Sequence, residues 1–487
     1  MTAQLRPYQV SAIALLRATV ARRCFRVALK LPTGAGKTVV AATIFKSAKE
    51  RNPNARLLII VDQLTLIDQT VDALYAAGLY DIGVIQADHP KTDPSKSIQV
   101  ASVQTLRRRG MPPADLVIVD ECHRQDGWLQ EIMASEEWKN IPFIGLSATP
   151  WSKGLGNVYE ELIDPVTMQE LIDAGYLSPF KVFAAAHPDL TGIKTLAGDY
   201  HEGQLSERMQ EGGLIADLIG TWKARGENRP TLIFCVDRAH AKAVQLRFEE
   251  AGIGCGYIDA YTDPVDRRQV KAQLDRGDIK AVANVACLTT GVDWAIGCIV
   301  LARPTKSEML YVQMVGRGLR VNPGMDDCII LDHADNTLRL GLVTDIHHDH
   351  LCRAVKGERT SIEAKASLPK ECPKCTFIKP PKVHQCPECG FKPVKRSEIQ
   401  EEAGEPVEIT KATAAADKAV KQSWLSQLNA IASERKYTSG WVSNTYRKKF
   451  GVWPRGLNSL AFQEPTSEVR NYVLAMNIRF AKRRQVA

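Results

Sequence analysis

The segment RVALKLPTGAGKTVVAATIF, residues 26–45, constrains the fold more than any other: an apolar run, a glycine-rich turn and a helix-forming stretch follow without a gap. Glycines at 34 and 36 let backbone N–H groups approach an anion, which then sits at the positive end of the next helix. In that arrangement Pro32, Thr33, Gly34, Ala35 and Gly36 form a phosphate-binding loop. Lys37 would pair with the outer phosphates of a nucleotide and Thr38 would offer its hydroxyl to Mg²⁺. The general pattern starts with a glycine, and Leu31 stands in that place here. A Gly-Lys-Thr triplet is common by itself, so the strand before it and the helix after it carry the reading.

Further apolar runs, Leu57 to Val61, Leu116 to Val119 and Phe143 to Leu146, alternate with longer mixed segments. Runs of this kind are strands buried on both faces of a parallel sheet, with helices between them. The alternation resumes at Thr231 to Cys235, Ala281 to Val285 and Ile329 to Leu331, which predicts a second α/β domain. The connection between the two falls near Leu177, Ser178 and Pro179. At about 150 residues per domain, 487 residues allow roughly three units. Asp120 and Glu121 follow a buried run and so emerge at the carboxyl end of a strand, the edge where open parallel sheets bind ligands. Asp120 would hold Mg²⁺ and Glu121 would orient or deprotonate water. An acidic pair capping the following helix is the simpler alternative.

The order of these segments resembles the superfamily 2 helicases of the DEAD/DEAH type. The matching blocks are LRPYQ (5–9), PTGAGKT (32–38), DECH (120–123), SAT (147–149), TTGVDW (289–294) and QMVGRGLR (313–320). Within that superfamily SVQTL (102–106), RPTKS (303–307), LDHADNTLRLG (331–341) and a cysteine module directly after them resemble RadD-like DNA repair helicases of bacteria and phages. The resemblance implies two tandem RecA-like parallel-sheet domains that grip one ATP between them. It places Arg6 and Gln9 at the adenine and Gly291 and Asp293 near the nucleotide. His123 joins Asp120 and Glu121, while Gln313, Arg317 and Arg320 reach the γ-phosphate from the second domain as arginine fingers in cis. Ser147 and Thr149 would couple hydrolysis to movement, and Gln104, Thr105, Thr290 and Arg303 would touch nucleic acid. The chain has Thr290 to Asp293 as TGVD where the commoner wording is Glu-Gly-Phe-Asp.

Eight of the twelve cysteines are scattered, and those in apolar runs (Cys235, Cys298, Cys328) read as small buried side chains in a reducing compartment. The other four, Cys372, Cys375, Cys386 and Cys389, form CPKC and CPEC knuckles ten residues apart. Two such turns bring four thiolates into a tetrahedral cage, the arrangement of a structural zinc ribbon, with an iron–sulfur cluster as the rival. The expected division is a first domain at 1–177, a second at 178–352, the zinc module at 353–397, an acidic and Ala-rich linker at 398–422 and a basic, aromatic helical module at 423–487. In that last module Trp441, Tyr446, Phe450 and Trp453 are expected to serve as core rather than as stacking platforms.

Formal net charge is +8, which permits a phosphate-backbone partner without requiring one. Neither an apolar run of membrane-spanning length nor a secretory signal is evident, so the expectation is a cytoplasmic protein of a bacterium or phage-infected cell, without membrane partners. The predicted partner is DNA, single-stranded or branched, with RNA as the alternative and repair or replication proteins as candidates for the C-terminal module. The predicted activity is that of an ATP-dependent helicase or translocase. The alternatives are an RNA helicase and an ATP-switched clamp or loader that separates no strands.

Overall fold

A computed structural model describes residues 4–353, 368–393 and 411–476, apart from 63–65, 185–186, 197, 211, 290–293, 451 and 475. Thr290, Gly291 and Asp293 therefore lie outside the described residues. The chain forms two compact units, 1–394 and 395–487.

The first unit starts with seven strands: β1 (Arg26–Lys30), β2 (Leu57–Val61), β3 (Ile82–Ile85), β4 (Ile98–Ser102), β5 (Leu116–Asp120), β6 (Phe143–Ser147) and β7 (Glu161–Ile163). They lie in the order β3-β4-β2-β5-β6-β1-β7 and pair in parallel throughout. Burial on both faces explains runs such as LLIIV in β2. Leu57, Ile59 and Val61 join the apolar layer that includes Ile13 and Phe45, whereas Leu58 and Ile60 point the other way, into the layer of Leu129 and Met133. The strand order matters for chemistry because β5, β6 and β1 are neighbours, so their carboxyl ends deliver three distant sequence blocks to one edge.

A second lobe of the same unit contains β8 (Phe180–Phe183), a short hairpin of β9 (Thr195–Leu196) and β10 (Asp199–Tyr200), then β11 (Thr231–Phe234), β12 (Cys255–Ile258), β13 (Ala281–Asn284), β14 (Cys298–Leu301) and β15 (Cys328–Asp332). Apart from the hairpin these form a parallel sheet in the order β12-β13-β11-β14-β15-β8. Cys235, Cys298 and Cys328 are buried in or beside this sheet, and burial pushes their thiols well above the ordinary range.

The lobes are joined twice. The first crossing runs through Leu177 and Ser178, where Ser178 N donates to Leu319 O (2.8 Å) and Ser178 Oγ to Arg320 O (3.1 Å). The second returns from the second lobe. Val343 and Ile346 pack in the apolar core, and His348 pairs with Glu308 (2.8 Å) and packs at a tilt against Trp151 of the first lobe (4.7 Å between rings). Cys352 O then accepts from Gly154 N (3.1 Å) and Gly156 N (2.9 Å), and Leu351 packs against the first lobe's core. A side chain on Gly156 would collide with the Leu351 carbonyl at 2.7 Å, so the close approach needs glycine.

The cysteine module folds around β16 (Lys370–Glu371) and β17 (Ile378–Lys379), an antiparallel pair. It covers the open edge of the second sheet at β8: Ala184 N donates to Thr376 O (3.1 Å), and the Phe183 and Phe377 rings meet edge to face at 5.8 Å.

The second unit holds helices Lys411–Glu434 and Ser439–Phe450 and a further helical stretch at 467–474. The first begins inside the segment read from sequence as linker. Leu425, Leu428, Ile431, Val442, Tyr446, Val469 and Val473 form the core, with Trp441 and Phe450 packed against it. Trp453 is not in that core and remains 41% exposed. No described helix is long and apolar enough to cross a membrane.

Candidate nucleotide site between the lobes

The turn after β1 adopts left-handed backbone at Gly34 (φ 85°) and Gly36 (φ 80°), which L side chains avoid. The space is also missing: a Cβ on Gly36 would lie 2.6 Å from Gln9 Nε2. Gln9 is buried and ties the loop to the first helix, donating through Nε2 to Ala35 O (3.0 Å) and accepting at Oε1 from Arg6 N (3.0 Å). Tyr8 OH donates to the same carbonyl (2.8 Å). An amide carries two donors and two acceptor positions, so Gln9 keeps one of each for a base edge. The Arg6 guanidinium lies 4.6 Å over the Tyr176 ring, which in turn packs edge-on against Tyr8 (5.7 Å). Tyr176 was not singled out from sequence, since its place beneath Arg6 depends on how two distant blocks meet.

Lys37 opens the helix that follows the loop, and its Nζ lies 3.0 Å from Glu121 Oε1 at the end of β5. Burial alone would raise the Glu121 carboxyl, but the charge on Lys37 and the His123 ring outweigh it and hold the group well below the ordinary range. Asp120 next to it moves the other way: burial raises its carboxyl, and the negative charge on Glu121 adds to that. Among the described residues Asp120 accepts one hydrogen bond, from Glu121 N (3.0 Å), and no cation pairs with it directly. A partly desolvated carboxylate in that condition, beside a helix bearing Thr38, fits a divalent cation. Glu121 Oε2 is buried, 3.3 Å from His123 Nδ1, and makes no hydrogen bond of its own. Its acceptor position is open to a water molecule.

From this carboxylate a polar chain runs into the second lobe. His123 Nδ1 meets Ser147 Oγ at 2.8 Å, and His123 Nε2 meets Gln313 Nε2 at 3.1 Å. An amide nitrogen only donates, so His123 Nε2 accepts and the ring proton sits on Nδ1, donating to Ser147. Ser147 Oγ also accepts from Thr149 N (3.0 Å), and Gln313 Nε2 donates to Thr149 Oγ1 (3.2 Å). All four side chains are buried. The sequence placed Ser147 and Thr149 on one lobe and Gln313 on the other without specifying that they touch.

The segment after Gln313 lies against the phosphate loop. A Cβ on Gly316 would fall 2.8 Å from Thr33 Cβ, and one on Gly34 would come within 3.5 Å of Arg320 Cγ. Arg317 is buried and donates through Nε to Thr289 O (3.0 Å). Lys37 and Arg320 thus border the same loop from opposite lobes.

Of the nucleic-acid residues expected from sequence, Gln104 and Thr105 lie on the first lobe and Arg303 on the second. Gln104 is exposed and donates to Asp62 O (3.1 Å), while Ser102 caps the helix that bears Thr105, its Oγ accepting from Thr105 N (3.3 Å). Arg303 is half-buried and donates to Val236 O (3.1 Å), with its Nε buried and without a hydrogen-bond partner.

In the cysteine module the four Sγ atoms lie within 4.8 Å of one another, with Cys372–Cys389 and Cys375–Cys386 each 3.7 Å apart. A tetrahedron with metal–sulfur bonds of about 2.3 Å has edges of about 3.8 Å, so the cage fits Zn²⁺.

The family described as type III restriction enzyme, res subunit, matches residues 2–152, and the helicase conserved C-terminal domain matches residues 213–322. A protein of Saccharomyces cerevisiae assigned as ATP-dependent helicase IRC3 is 30% identical over 67% of this chain and 51% of its own length. The chain therefore spans about half of that relative. A 51.5 kDa protein of a Lactococcus phage is 26% identical over 74% of this chain and 77% of its own. Among solved structures the ATP-dependent type ISP restriction-modification enzyme LlaBIII bound to DNA superposes with a TM-score of 0.53 at 17% identity, covering 69% of this chain and 28% of that one.

Proposed function

Since this chain belongs to the superfamily 2 helicases of the DEAD/DEAH type, we propose that it hydrolyses ATP in the cleft between its lobes and uses the cycle to move along or remodel DNA. The observation that carries the reading is the buried chain Lys37–Glu121–His123–Gln313, which links the phosphate loop of one lobe to the arginine-bearing segment of the other. Arriving phosphates compete for Lys37. When the lysine turns to them, Glu121 loses its strongest counter-charge and becomes a better base for the water at Oε2. Thr38 and Asp120 are the residues that would hold Mg²⁺, whose charge offsets that of the phosphates. Arg317 and Arg320 would neutralise charge spreading over the γ-phosphoryl group. The bonds from Gln313 to Thr149 and to His123 form only while the lobes are together, which makes them a two-state element of the kind a motor requires.

DNA rather than RNA is supported by the DNA-bound structure the fold resembles. A role in DNA repair is supported by the RadD-like blocks at 102–106, 303–307 and 331–341. Zn²⁺ at the four cysteines would be structural, fixing a module that caps the second sheet. The test is ATP hydrolysis by the full chain alone and with single-stranded DNA, duplex DNA or RNA, beside Lys37→Ala. Stimulation by DNA that is lost in Lys37→Ala is expected. Unchanged turnover in that variant would end the assignment, and stimulation by RNA alone would make it an RNA motor. A strand-displacement assay separates a motor from a clamp, which hydrolyses ATP and displaces nothing.

A further inference from the structure

Charge is divided unequally along the chain. Residues 411–487 contain 14 Lys and Arg against 4 Asp and Glu, a net +10, whereas the whole chain is +8. Residues 1–410 are therefore at −2, and the entire basic excess belongs to residues 411–487. Phosphate recognition by the motor lobes does not account for it.

Within the C-terminal unit the helix Ser439–Phe450 carries three consecutive cations, Arg447, Lys448 and Lys449. Val442, Thr445 and Tyr446 face the core, which leaves Gly440, Asn444, Arg447 and Lys448 exposed along one stripe about 100° wide. The loop that follows extends the stripe. The Arg447 guanidinium lies 4.6 Å over the exposed Trp453 ring, and Arg455 is exposed two residues later. That loop is pinned to the first helix of the unit: Gln422 Nε2 donates to Asn458 O (3.0 Å), Asn458 N to Gln422 Oε1 (2.7 Å), and Asn429 Nδ2 to Ser459 O (3.0 Å). Two other cations of the unit meet carboxylates, Arg470 with Glu434 at 3.1 Å and Lys449 with Glu468 at 3.9 Å. Among the described residues no carboxylate pairs with Arg447, Lys448 or Arg455.

We infer that the C-terminal unit is a second nucleic-acid contact, in which Arg447, Lys448, Trp453 and Arg455 hold the phosphate backbone independently of ATP. A row of unpaired cations on a helix presented by a rigid core suits a polyanion, and the small side chains at Gly440 and Asn444 let the helix approach it closely. Trp453, held flat by Arg447, offers a ring for a base or sugar at the border of the row. Contacts of this type read backbone, so binding is independent of sequence. Because none of these residues belongs to the unit that carries the phosphate loop, the contact stands whether or not the motor moves.

The test measures fluorescence anisotropy of labelled duplex and single-stranded DNA with the full chain, in the absence of nucleotide, across about 50 to 200 mM salt. Each phosphate contact adds about 0.9 to the slope of log affinity against log salt on a duplex. The Arg447→Glu/Lys448→Glu double variant is expected to bind at least tenfold more weakly, with the slope smaller by about two. Its melting temperature and unstimulated ATP hydrolysis should match the parent chain, and Lys37→Ala should bind as the parent does. Lys448→Glu alone serves if the double variant misfolds, with a slope smaller by about one. Which of the two probes loses more identifies the strand form the unit grips. Unchanged affinity and slope on both probes would overturn the inference. So would binding to vesicles of anionic phospholipid, lost in the variant, while nucleic-acid binding stays intact.

Discussion

Gln313 Nε2 sits 3.1 Å from His123 Nε2, and that one buried contact joins the second lobe to the carboxylate that holds Lys37. It is a bond between lobes whose strands share no ladder, so it exists only while they are together. Its donor has a fixed sense, which also fixes the histidine proton on the side facing Ser147.

Gln313→Ala should remove the coupling and leave the loop intact. Coupling between sites is typically about 1–3 kcal/mol, so stimulation of ATP hydrolysis by DNA should fall roughly 5- to 150-fold while unstimulated turnover changes far less. Steady-state rates with and without DNA decide it, and a variant stimulated like the parent would refute the link.

Gly316 and Gly318 are two residues apart and should fail differently. A methyl at 318 would strike Cys328 Sγ at 2.5 Å and Ile299 Cγ1 at 2.7 Å inside the second lobe, so Gly318→Ala should cost about 1–3 kcal/mol of stability, read as a lower melting temperature. A methyl at 316 meets Thr33 across the cleft. That methyl also comes within 2.9 Å of Val312 O in its own lobe, so Gly316→Ala should lower kcat/KM for ATP and lower the melting temperature less than Gly318→Ala does. Equal melting losses in the two variants would contradict this division.

His333 is buried after β15 with both ring nitrogens unpartnered, and burial pushes its pKa down to about 4. His240 is pushed down to about 4 by burial as well. Both rings are neutral in the fold and protonate in the unfolded chain near the ordinary value of about 6.5. Stability of the second lobe should therefore be complete above about pH 6.5 and fall as the pH drops toward 4. His333→Leu removes one of the two groups and should flatten a plot of melting temperature against pH. An equally steep plot would show that the ring does not titrate with unfolding.

Purified chain should carry about one Zn²⁺ and no visible chromophore, since a coloured cluster would mark iron–sulfur instead. Stripping the metal with a chelator, or Cys386→Ser, should unfold the module and uncover β8, where Phe377 packs on Phe183. Elemental analysis with hydrogen exchange at 180–184 checks both halves. Metal-free protein with the same protection at β8 would sink the zinc assignment.

What the sequence discloses here is chemistry that depends on neighbours along the chain. The left-handed glycines at 34 and 36, the placing of two carboxylates at the end of β5 and the gathering of the four cysteine thiols are set by short local patterns, so spacing was enough to foresee them. Contacts between distant blocks were not legible. Nothing local marks Tyr176 as the ring beneath Arg6, Gly316 as the neighbour of Thr33, or Leu351 and Cys352 as residues that return to the first lobe, because each depends on how two finished lobes face one another. Arg303 is a cation whose motif suggests a strand contact, and the bond its guanidinium makes to the Val236 carbonyl could not be read from that motif. The aromatic tail divided along the same line, with Tyr446 in a core set by helix periodicity and Trp453 outside it on a loop.

The return of residues 351–353 onto the first lobe has a mechanical result. A body hung from one pivot can swivel about three axes, whereas a body hung from two can only swing about the line through them, like a door. With one attachment at Leu177–Ser178 and the other at Leu351–Cys352, opening of the cleft is confined to a single arc, so each turnover would carry the second lobe along the same path in both directions.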